Sequence, residues 1–168
     1  MLSIARHIRI IARFLTMDGS MKKYKVYGIG AALVDTEIKV SEADLKAMQV
    51  EKGLMTLVDE ERLTTLLGQL EGHLVKASHA SGGSAGNSMI ATAQFGGPTF
   101  MSCKVANDMD GDIYISDLEA AGVDHCFNGD RAEGTTGKCL VLITPDAERS
   151  MNTFLGISET LSVEQLDS

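Results

Sequence analysis

Apolar and polar positions follow two patterns along the chain: short apolar runs, and longer stretches in which apolar residues recur every three or four positions. The first pattern predicts strands and the second predicts amphipathic helices. The clearest helix starts after Asp59 and ends at Gly72, because its leucines fall on one helical face: Leu63, Leu66, Leu67 and Leu70.

The predicted strands cover residues 25–29, 36–40, 53–58, 74–80, 99–105, 123–127, 138–144 and 150–155. Further helices are predicted over residues 41–48, 88–95 and 113–121, and Ser162 is predicted to cap a last helix. The sequence Pro-Asp-Ala-Glu at 145–148 predicts a hairpin turn between two neighbouring strands. Strands that alternate with helices indicate an α/β fold with a mainly parallel sheet.

Composition limits the class of protein. The chain has 168 residues, of which 44% are hydrophobic, so it is long and apolar enough for one domain with a core. Its net charge is −8, and such an acidic body repels phosphate backbones, which disfavours nucleic-acid binding. The cysteines (103, 126 and 139) are odd in number and form no Cys-x-x-Cys motif, which indicates buried thiols in a reducing cytoplasm. The histidines are scattered at spacings that suggest no metal site.

Residues 1–20 differ from the acidic remainder, because arginines interrupt their apolar positions every few residues. They lack the uninterrupted apolar centre of a signal peptide, and no apolar run in the chain is long enough to cross a membrane. We expect an N-terminal extension outside the fold, with a transit peptide as the alternative, and a domain that starts at Met21. The expected location is cytoplasmic, without a membrane partner.

The sequence GIGAALVD at 28–35 is a strand that ends in glycines and is followed by an acid, which predicts a ligand at the carboxyl end of the strand. A dinucleotide-binding interpretation fails in detail. Leu33 stands where the third glycine of Gly-x-Gly-x-x-Gly is required, and Asp35 comes only five residues after Gly30. A surface turn with a solvated Asp35 is the alternative.

The sequence SGGSAGN at 81–87 predicts a glycine-rich loop that opens a helix. Consecutive glycines let the backbone approach a ligand, and free N–H groups at a helix N-terminus suit hydroxyls or an anion. No Gly-Lys-Ser or Gly-Lys-Thr follows, which excludes a Walker A loop. Asn87 favours a binding role, because its amide both donates to and accepts from a polyol. A plain helix-entry loop is the alternative.

Residues 108–119 place four acids at the spacing of calcium ligands: Asp108, Asp110, Asp112 and Glu119. The position that a calcium-binding loop requires as glycine is Ile113, and the preceding segment is predicted to be a strand rather than a helix. The sequence therefore favours a solvated acidic loop that caps the next helix, where acids are favourable.

Three separated motifs, in order, resemble the ribokinase/PfkB family of carbohydrate and nucleoside kinases: GGSAGN at 82–87, FGG at 95–97 and KVANDMDG at 104–111. The segments GLMTLVDEER, SGGSAGN and TPDAERSMNTFLG are similar to those of bacterial members described as adenosine kinase or PfkB-type sugar kinase. The resemblance covers about Met21 to the end of the chain. It is specific for the family and much less so for the substrate.

The resemblance implies a ribokinase-like three-layer α/β/α fold with a mainly parallel central sheet. It also implies a small β lid, formed by residues of about 36–40, 55–58 and 138–143. Residues 21–168 would be the N-terminal part of such a kinase domain, so that the central sheet is incomplete here.

The resemblance also implies roles for particular residues. Asp35 would hold acceptor hydroxyls, and Gly82, Gly83 and Asn87 would line the sugar, with Asn87 bonding a hydroxyl. On a looser alignment, three further residues fall where the lid and floor of the pocket lie: Cys139, Val141 and Thr153.

The implied activity is ATP-dependent phosphorylation of a hydroxymethyl group on a sugar or nucleoside. The family's Gly-Ala-Gly-Asp motif, which carries the catalytic base, does not occur in the chain, and ATP and magnesium would be bound mainly by that downstream half. We therefore expect an inactive fragment without catalytic or metal-binding residues. The expected partner is a small-molecule sugar or nucleoside, and a homodimer through the lid is left open for the complete protein.

Three positions depart from the family pattern. Ala31 stands where many relatives have Asn, which removes one acceptor contact and weakens an assignment to adenosine. Met89 replaces the usual small residue after Asn87, and Ala106 replaces the Gly of the Gly-x-x-Asp turn; we interpret both as packing changes. Two alternatives to a kinase stay open: a non-catalytic acceptor-binding module and a nicotinamide-dependent Rossmann oxidoreductase.

Overall fold

The computed structural model describes residues 23–72, 78–127 and 131–163. The strands in these ranges are β1 (Val26–Ile29), β2 (Leu33–Lys39), β3 (Met55–Leu57), β4 (Ser78–Gly82), β5 (Thr99–Ser102), β6 (Asp124–His125), β7 (Gly137–Ile143) and β8 (Arg149–Phe154). The helices are α1 (Glu42–Ala47), α2 (Glu60–Gln69), α3 (Ser84–Gln94) and α4 (Met109–Ala120), with a 3₁₀ helix at Gly156–Thr160. The N-terminal extension, residues 74–77 of a predicted strand and residues 164–168 of the predicted last helix lie outside the described residues.

The strands form two sheets. The first is parallel and three-stranded, in the order β1-β5-β6. The second is mixed and five-stranded, in the order β3-β8-β7-β2-β4, with antiparallel pairs β2–β4 and β7–β8. The predicted α/β class with a parallel sheet is confirmed. The three segments predicted for the small β lid form β2, β3 and β7 of the second sheet. Strands β4 and β8, which the sequence did not assign to the lid, belong to the same sheet.

Two hydrophobic cores hold these sheets to their helices. The first packs α3 and α4 against the parallel sheet: Ala32, Val34, Met89, Met101, Cys103, Val105, Tyr114, Leu118 and Val123. The second packs α1 and α2 against one face of the five-stranded sheet: Ile38, Val40, Leu45, Met48, Leu63, Leu66, Leu70, Leu140 and Leu142. Strand β2 passes from one core to the other, because Val34 belongs to the first and Ile38 to the second. Asp35 comes directly after Val34 in this strand, and its side chain lies on the opposite face of the sheet.

Side-chain caps explain where the first two helices begin. The Ser41 hydroxyl accepts a hydrogen bond from the Asp44 N–H at 3.2 Å, which closes a capping box. The Asp59 carboxylate accepts from the Arg62 N–H at 2.7 Å. Such caps satisfy N–H groups that have no partner inside the helix. The predicted starts of both helices are confirmed.

The predicted starts of the later helices are wrong. Helix α3 begins at Ser84 rather than at residue 88, and α4 begins at Met109 rather than at residue 113. Low helix propensity of glycine favoured a loop at 81–87, but Gly83 caps α3 with a φ of +85° and Gly86 lies inside the helix. Tertiary packing outweighs the local preference here. None of the helices within the described ranges is long and apolar enough to cross a bilayer.

Candidate functional site

A row of paired residues crosses the five-stranded sheet beside the glycine-rich segment. Asp35 of β2 pairs with Cys139 of β7, and Cys139 pairs with Thr153 of β8. Residues that pair directly across strands place their side chains on the same face of a sheet. Asp35, Cys139 and Thr153 therefore share the face opposite the helices α1 and α2. Val141 lies two positions further along β7, on that same face.

The Asp35 carboxylate lies directly against the backbone of Gly82, because a Cβ at position 82 would overlap its oxygens. Within the described part of the chain, no group forms a hydrogen bond with this carboxylate. Partial burial raises the pKa of Asp35 above its ordinary value, Glu37 raises it further, and Arg149 opposes both. Asp35 is thus a half-buried acid whose hydrogen-bonding capacity is not used by the described residues.

Gly83 turns the chain from β4 into α3. Its φ of +85° and the carbonyl of Ala31, 2.7 Å from where a Cβ would stand, both exclude a side chain. Its first turn contains no acid, and no side chain of the described residues caps α3 or accepts from its first N–H groups. Asn87, on that first turn, is exposed, and its side-chain amide has no hydrogen-bond partner among the described residues.

These groups are complementary in hydrogen bonding. An ionised Asp35 only accepts, the N–H groups of the helix start only donate, and the amide of Asn87 does both. A vicinal hydroxyl of a polyol also donates and accepts, so such a ligand can satisfy both kinds of group at once. The arrangement suits a neutral polyhydroxylated molecule better than a free anion, which the Asp35 carboxylate would repel.

The remaining predicted site residues lie deeper. Cys139 and Thr153 are each 5% exposed and Val141 is 4% exposed, so they form the floor of this face rather than its surface. The Thr153 hydroxyl donates to the Cys139 sulfur at 3.3 Å, and burial raises the pKa of the Cys139 thiol, which keeps it protonated. A cavity of about 250 Å³ opens beside Thr153, next to Leu57 and Leu155, but it does not reach Asp35 or the glycines.

The glycines at the start of GIGAALVD have packing roles. A Cβ at Gly28 would lie 2.6 Å from Met89 Cγ, and one at Gly30 would lie 2.7 Å from Ala85 Cβ. Both contacts are with α3, which packs closely on the end of β1. Met89 is 5% exposed, so the departure at this position is explained as a packing change that the absent side chain of Gly28 accommodates.

Helix α4 contacts the glycine-rich segment through two residues that the sequence analysis did not single out. Asp117 Oδ2 accepts a hydrogen bond from the Ser81 N–H at 2.7 Å. The hydroxyl of Tyr114, which is wholly buried, lies against Gly86, where a Cβ would overlap it. Neither residue belongs to a recognisable motif, so only its place on the same helical face, one turn from the other, could have indicated this role.

The acidic segment at 108–119 comprises the N-cap and nearly all of α4, so the acidic loop that the sequence predicted there is helical. Asp108 caps the helix, with Oδ1 accepting from the Gly111 N–H at 2.8 Å and from the Thr136 hydroxyl at 2.6 Å. Asp110 pairs with Lys138 at 2.7 Å, and Arg131 pairs with Asp112. Across the ranges that the structure describes, no group of three or more His, Cys, Asp or Glu side chains is placed to hold a metal ion.

Comparison with known proteins identifies the family. The sequence profile described as "pfkB family carbohydrate kinase" matches residues 53–168. No curated protein sequence matches the chain significantly. Among solved structures, the chain is similar to a probable sugar kinase from Rhizobium etli CFN 42, with 34% identity and a TM-score of 0.79, over 88% of this chain and 43% of that one.

Two adenosine kinases are also similar. The enzyme from Sinorhizobium meliloti shares 35% identity with a TM-score of 0.76, over 85% of this chain and 42% of that one. The enzyme from Anopheles gambiae, solved with P1,P4-di(adenosine-5) tetraphosphate, shares 22% identity with a TM-score of 0.77, over 88% of this chain and 46% of that one, and shows the fold alone. The chain thus spans less than half the length of these proteins. By the extent of the profile match and of the likeness, the chain belongs to the pfkB family of carbohydrate kinases.

Proposed function

We propose that residues 21–168 form the acceptor-binding part of a kinase that transfers the γ-phosphoryl group of ATP to a hydroxymethyl group on a sugar or nucleoside. The observation that carries the proposal is the contact between Asp35 and Gly82, which places a carboxylate without a hydrogen-bond partner in the described chain beside the free start of α3. Membership of the pfkB family supports the reaction class.

Each predicted site residue has a part in this proposal. Asp35 accepts hydrogen bonds from hydroxyls of the bound molecule, while Asn87 and the backbone at Gly82 and Gly83 bind its other side. The buried floor of Cys139, Val141 and Thr153 excludes water from beneath the ligand. Phosphoryl transfer depends on positioning and on stabilising charge, and these residues supply the positioning.

ATP and magnesium would be bound mainly outside the described residues, which bring together no set of His, Cys, Asp or Glu ligands for a metal ion. When bound, they would supply the transferred phosphoryl group and neutralise its charge. We derive no step through them from this chain, and we expect the 168-residue chain alone to lack kinase activity. A cytoplasmic enzyme acting on a small molecule is the simplest setting for such a reaction.

The test is a coupled assay for ADP formation with adenosine, ribose and fructose. It compares the 168-residue chain with a gene product extended to the length of the similar kinases, together with calorimetry of acceptor binding. We expect acceptor-dependent turnover by the extended protein and none by the 168-residue chain. Binding without turnover by the extended protein would instead support a non-catalytic binding module. Comparable turnover by the short chain would show that the catalytic groups lie within it.

A further inference from the structure

The edge of the five-stranded sheet is held from outside by a carboxylate. Among the described strands, β4 is the last of this sheet, paired only with β2. Alternate N–H groups of such an edge strand face away from its partner, and the Ser81 N–H is one of them, because it donates to Asp117 Oδ2 at 2.7 Å. A backbone N–H that donates to a carboxylate makes a short and comparatively strong hydrogen bond.

The held residue comes immediately before the two glycines of the site. Gly82 follows Ser81, and its backbone contacts the Asp35 carboxylate. Gly83 is the N-cap of α3. Any displacement of Ser81 would move Gly82 relative to Asp35, because consecutive Cα atoms are joined by a rigid peptide unit. The hydrogen bond to Asp117 is thus one residue away from the contact between Gly82 and the Asp35 carboxylate.

A second contact from the same helix supports this interpretation. The Tyr114 hydroxyl lies against Gly86, one turn into α3, and Tyr114 precedes Asp117 by one turn of α4. Helix α4 therefore touches the segment at 81 and at 86, on both sides of the glycines. Asp117 accepts a hydrogen bond from the Ser81 N–H before the glycines, and the Tyr114 hydroxyl is in van der Waals contact with Gly86 after them.

We propose that Asp117 is a positioning residue of the acceptor site, which fixes Gly82 and Gly83 against Asp35 through the Ser81 N–H. This inference rests on the proposed function of that site. Asp117 is only partly buried, so water can replace its carboxylate at the Ser81 N–H when the side chain is removed. Variants at position 117 are therefore expected to fold, and the backbone at residues 81–83 is expected to become more mobile.

The experiment uses the extended gene product and three variants: Asp117→Ala, Asp117→Asn and, as a matched control, Glu119→Ala. Glu119 is an exposed acid two positions along the same helix, with a single ion pair to His125 at 3.4 Å. Steady-state kinetics give kcat and the KM for acceptor and for ATP, and amide hydrogen exchange follows Ser81. The probe molecules are adenosine, ribose and fructose.

Asp117→Ala should raise the KM for the acceptor about tenfold, as expected for losing one charge-assisted hydrogen bond, without changing the KM for ATP. Its Ser81 amide should exchange faster. Asp117→Asn retains an oxygen that accepts from the Ser81 N–H, so it should recover most of the acceptor affinity. Glu119→Ala should behave as the wild type in every measurement.

An unchanged acceptor KM in Asp117→Ala would overturn the proposal, and so would a fall in kcat alone that matches a smaller folded fraction. Failure of the proposed function is recognised separately, because the wild-type extended protein would then neither bind nor phosphorylate any acceptor. In that case the role assigned to Asp117 is overturned as well, even if Ser81 exchange still reports the hydrogen bond.

Discussion

The Asp35 carboxylate occupies the space beside Gly82 that a Cβ on residue 82 would need. The two residues are diagonal neighbours on antiparallel strands, because Asp35 pairs with Ala80 and Leu33 pairs with Gly82. The first glycine of the pair is thus required by a side chain of another strand, while the second is required by its positive φ. In the sequence, this glycine pair suggested that a ligand could approach the backbone closely. In the structure, it also makes room for the Asp35 carboxylate, the group proposed to bind that ligand.

Substituting Gly82 should impair the acceptor site more than the fold. In Gly82→Ala the new methyl group would displace the Asp35 carboxylate. The carboxylate can rotate away, because it has no hydrogen bond within the described chain. The free energy of unfolding should therefore fall by at most ~1 kcal/mol. The acceptor KM of the extended protein should rise clearly. Gly68→Ala is the matched control, because Gly68 lies in α2 with nothing within 4 Å of its Cβ position, and it should gain ~0.5–1 kcal/mol of stability. Wild-type acceptor kinetics in Gly82→Ala would contradict the assigned contact.

Removing the charge of Asp35 should separate activity from stability. Asp35→Asn removes the charge and converts one of the two acceptor oxygens into a donor, so a hydroxyl bound to that oxygen loses its charged partner. Loss of a hydrogen bond to a charged group costs ~1.5–3 kcal/mol, so kcat/KM for the acceptor should fall by roughly ten- to 150-fold. Because the folded-state pKa of Asp35 is raised, ionisation costs stability above that pKa, and this cost disappears as the pH falls below the ordinary value near about 4.

At pH 7 the thermal midpoint of Asp35→Asn should therefore equal or exceed that of the wild type, and the two should converge in acid. Thermal melts across this pH range, measured beside the acceptor kinetics, provide the check. A lower midpoint at pH 7 would mean that the Asp35 carboxylate stabilises the fold, contrary to its observed environment.

Gly86 and Tyr114 should show coupled effects on stability. Gly86→Ala places a methyl group against the Tyr114 hydroxyl inside a packed core and should cost ~1–3 kcal/mol. Tyr114→Phe removes a buried hydroxyl whose side-chain partner among the described residues is the Cys103 thiol, a weak hydrogen-bonding group, so it should change the free energy of unfolding only slightly. Denaturant unfolding of the double mutant should show a much smaller penalty for Gly86→Ala in the Tyr114→Phe background. Strict additivity of the two effects would show that the residues are not in contact.

Asp108 should make stability depend on pH. Burial tends to raise its pKa, but hydrogen bonds from the Thr136 hydroxyl, the Thr136 N–H and the Gly111 N–H outweigh burial and hold the pKa below its ordinary value. A lowered folded-state pKa stabilises the fold above the unfolded pKa, near about 4, and the stabilisation is lost as the pH falls through the folded value.

Asp108→Asn should therefore lower the free energy of unfolding by about 1 kcal/mol at pH 7, a modest value because the carboxylate is only partly buried. The difference from the wild type should shrink as the pH falls below about 4. Asp112→Asn, an exposed acid on the next turn, serves as the control and should change little at either pH. A pH-independent difference for Asp108→Asn would attribute its effect to geometry and not to charge.

Local signals were enough for much of the architecture. The caps at Ser41 and Asp59 act through side-chain contacts within three residues, so the sequence contains everything they need. The hairpin at 145–148 is also local, because the Thr144 hydroxyl donates to Asp146 Oδ1 at 2.7 Å and Ala147 adopts a φ of +65° between β7 and β8. The family motifs required only their order along the chain, and the match over residues 53–168 confirms that family assignment.

By itself, then, the sequence determined the α/β class, the family and the residue types available for binding a polyol. Only the tertiary structure decided three contacts. The Asp35 carboxylate lies against Gly82, and the Tyr114 hydroxyl lies against Gly86. The Asp117 carboxylate accepts a hydrogen bond from the Ser81 N–H. Each of these contacts joins residues that are between 28 and 47 positions apart. Such pairs leave no periodic trace in a single sequence, because their geometry depends on strand register and helix packing across the whole core.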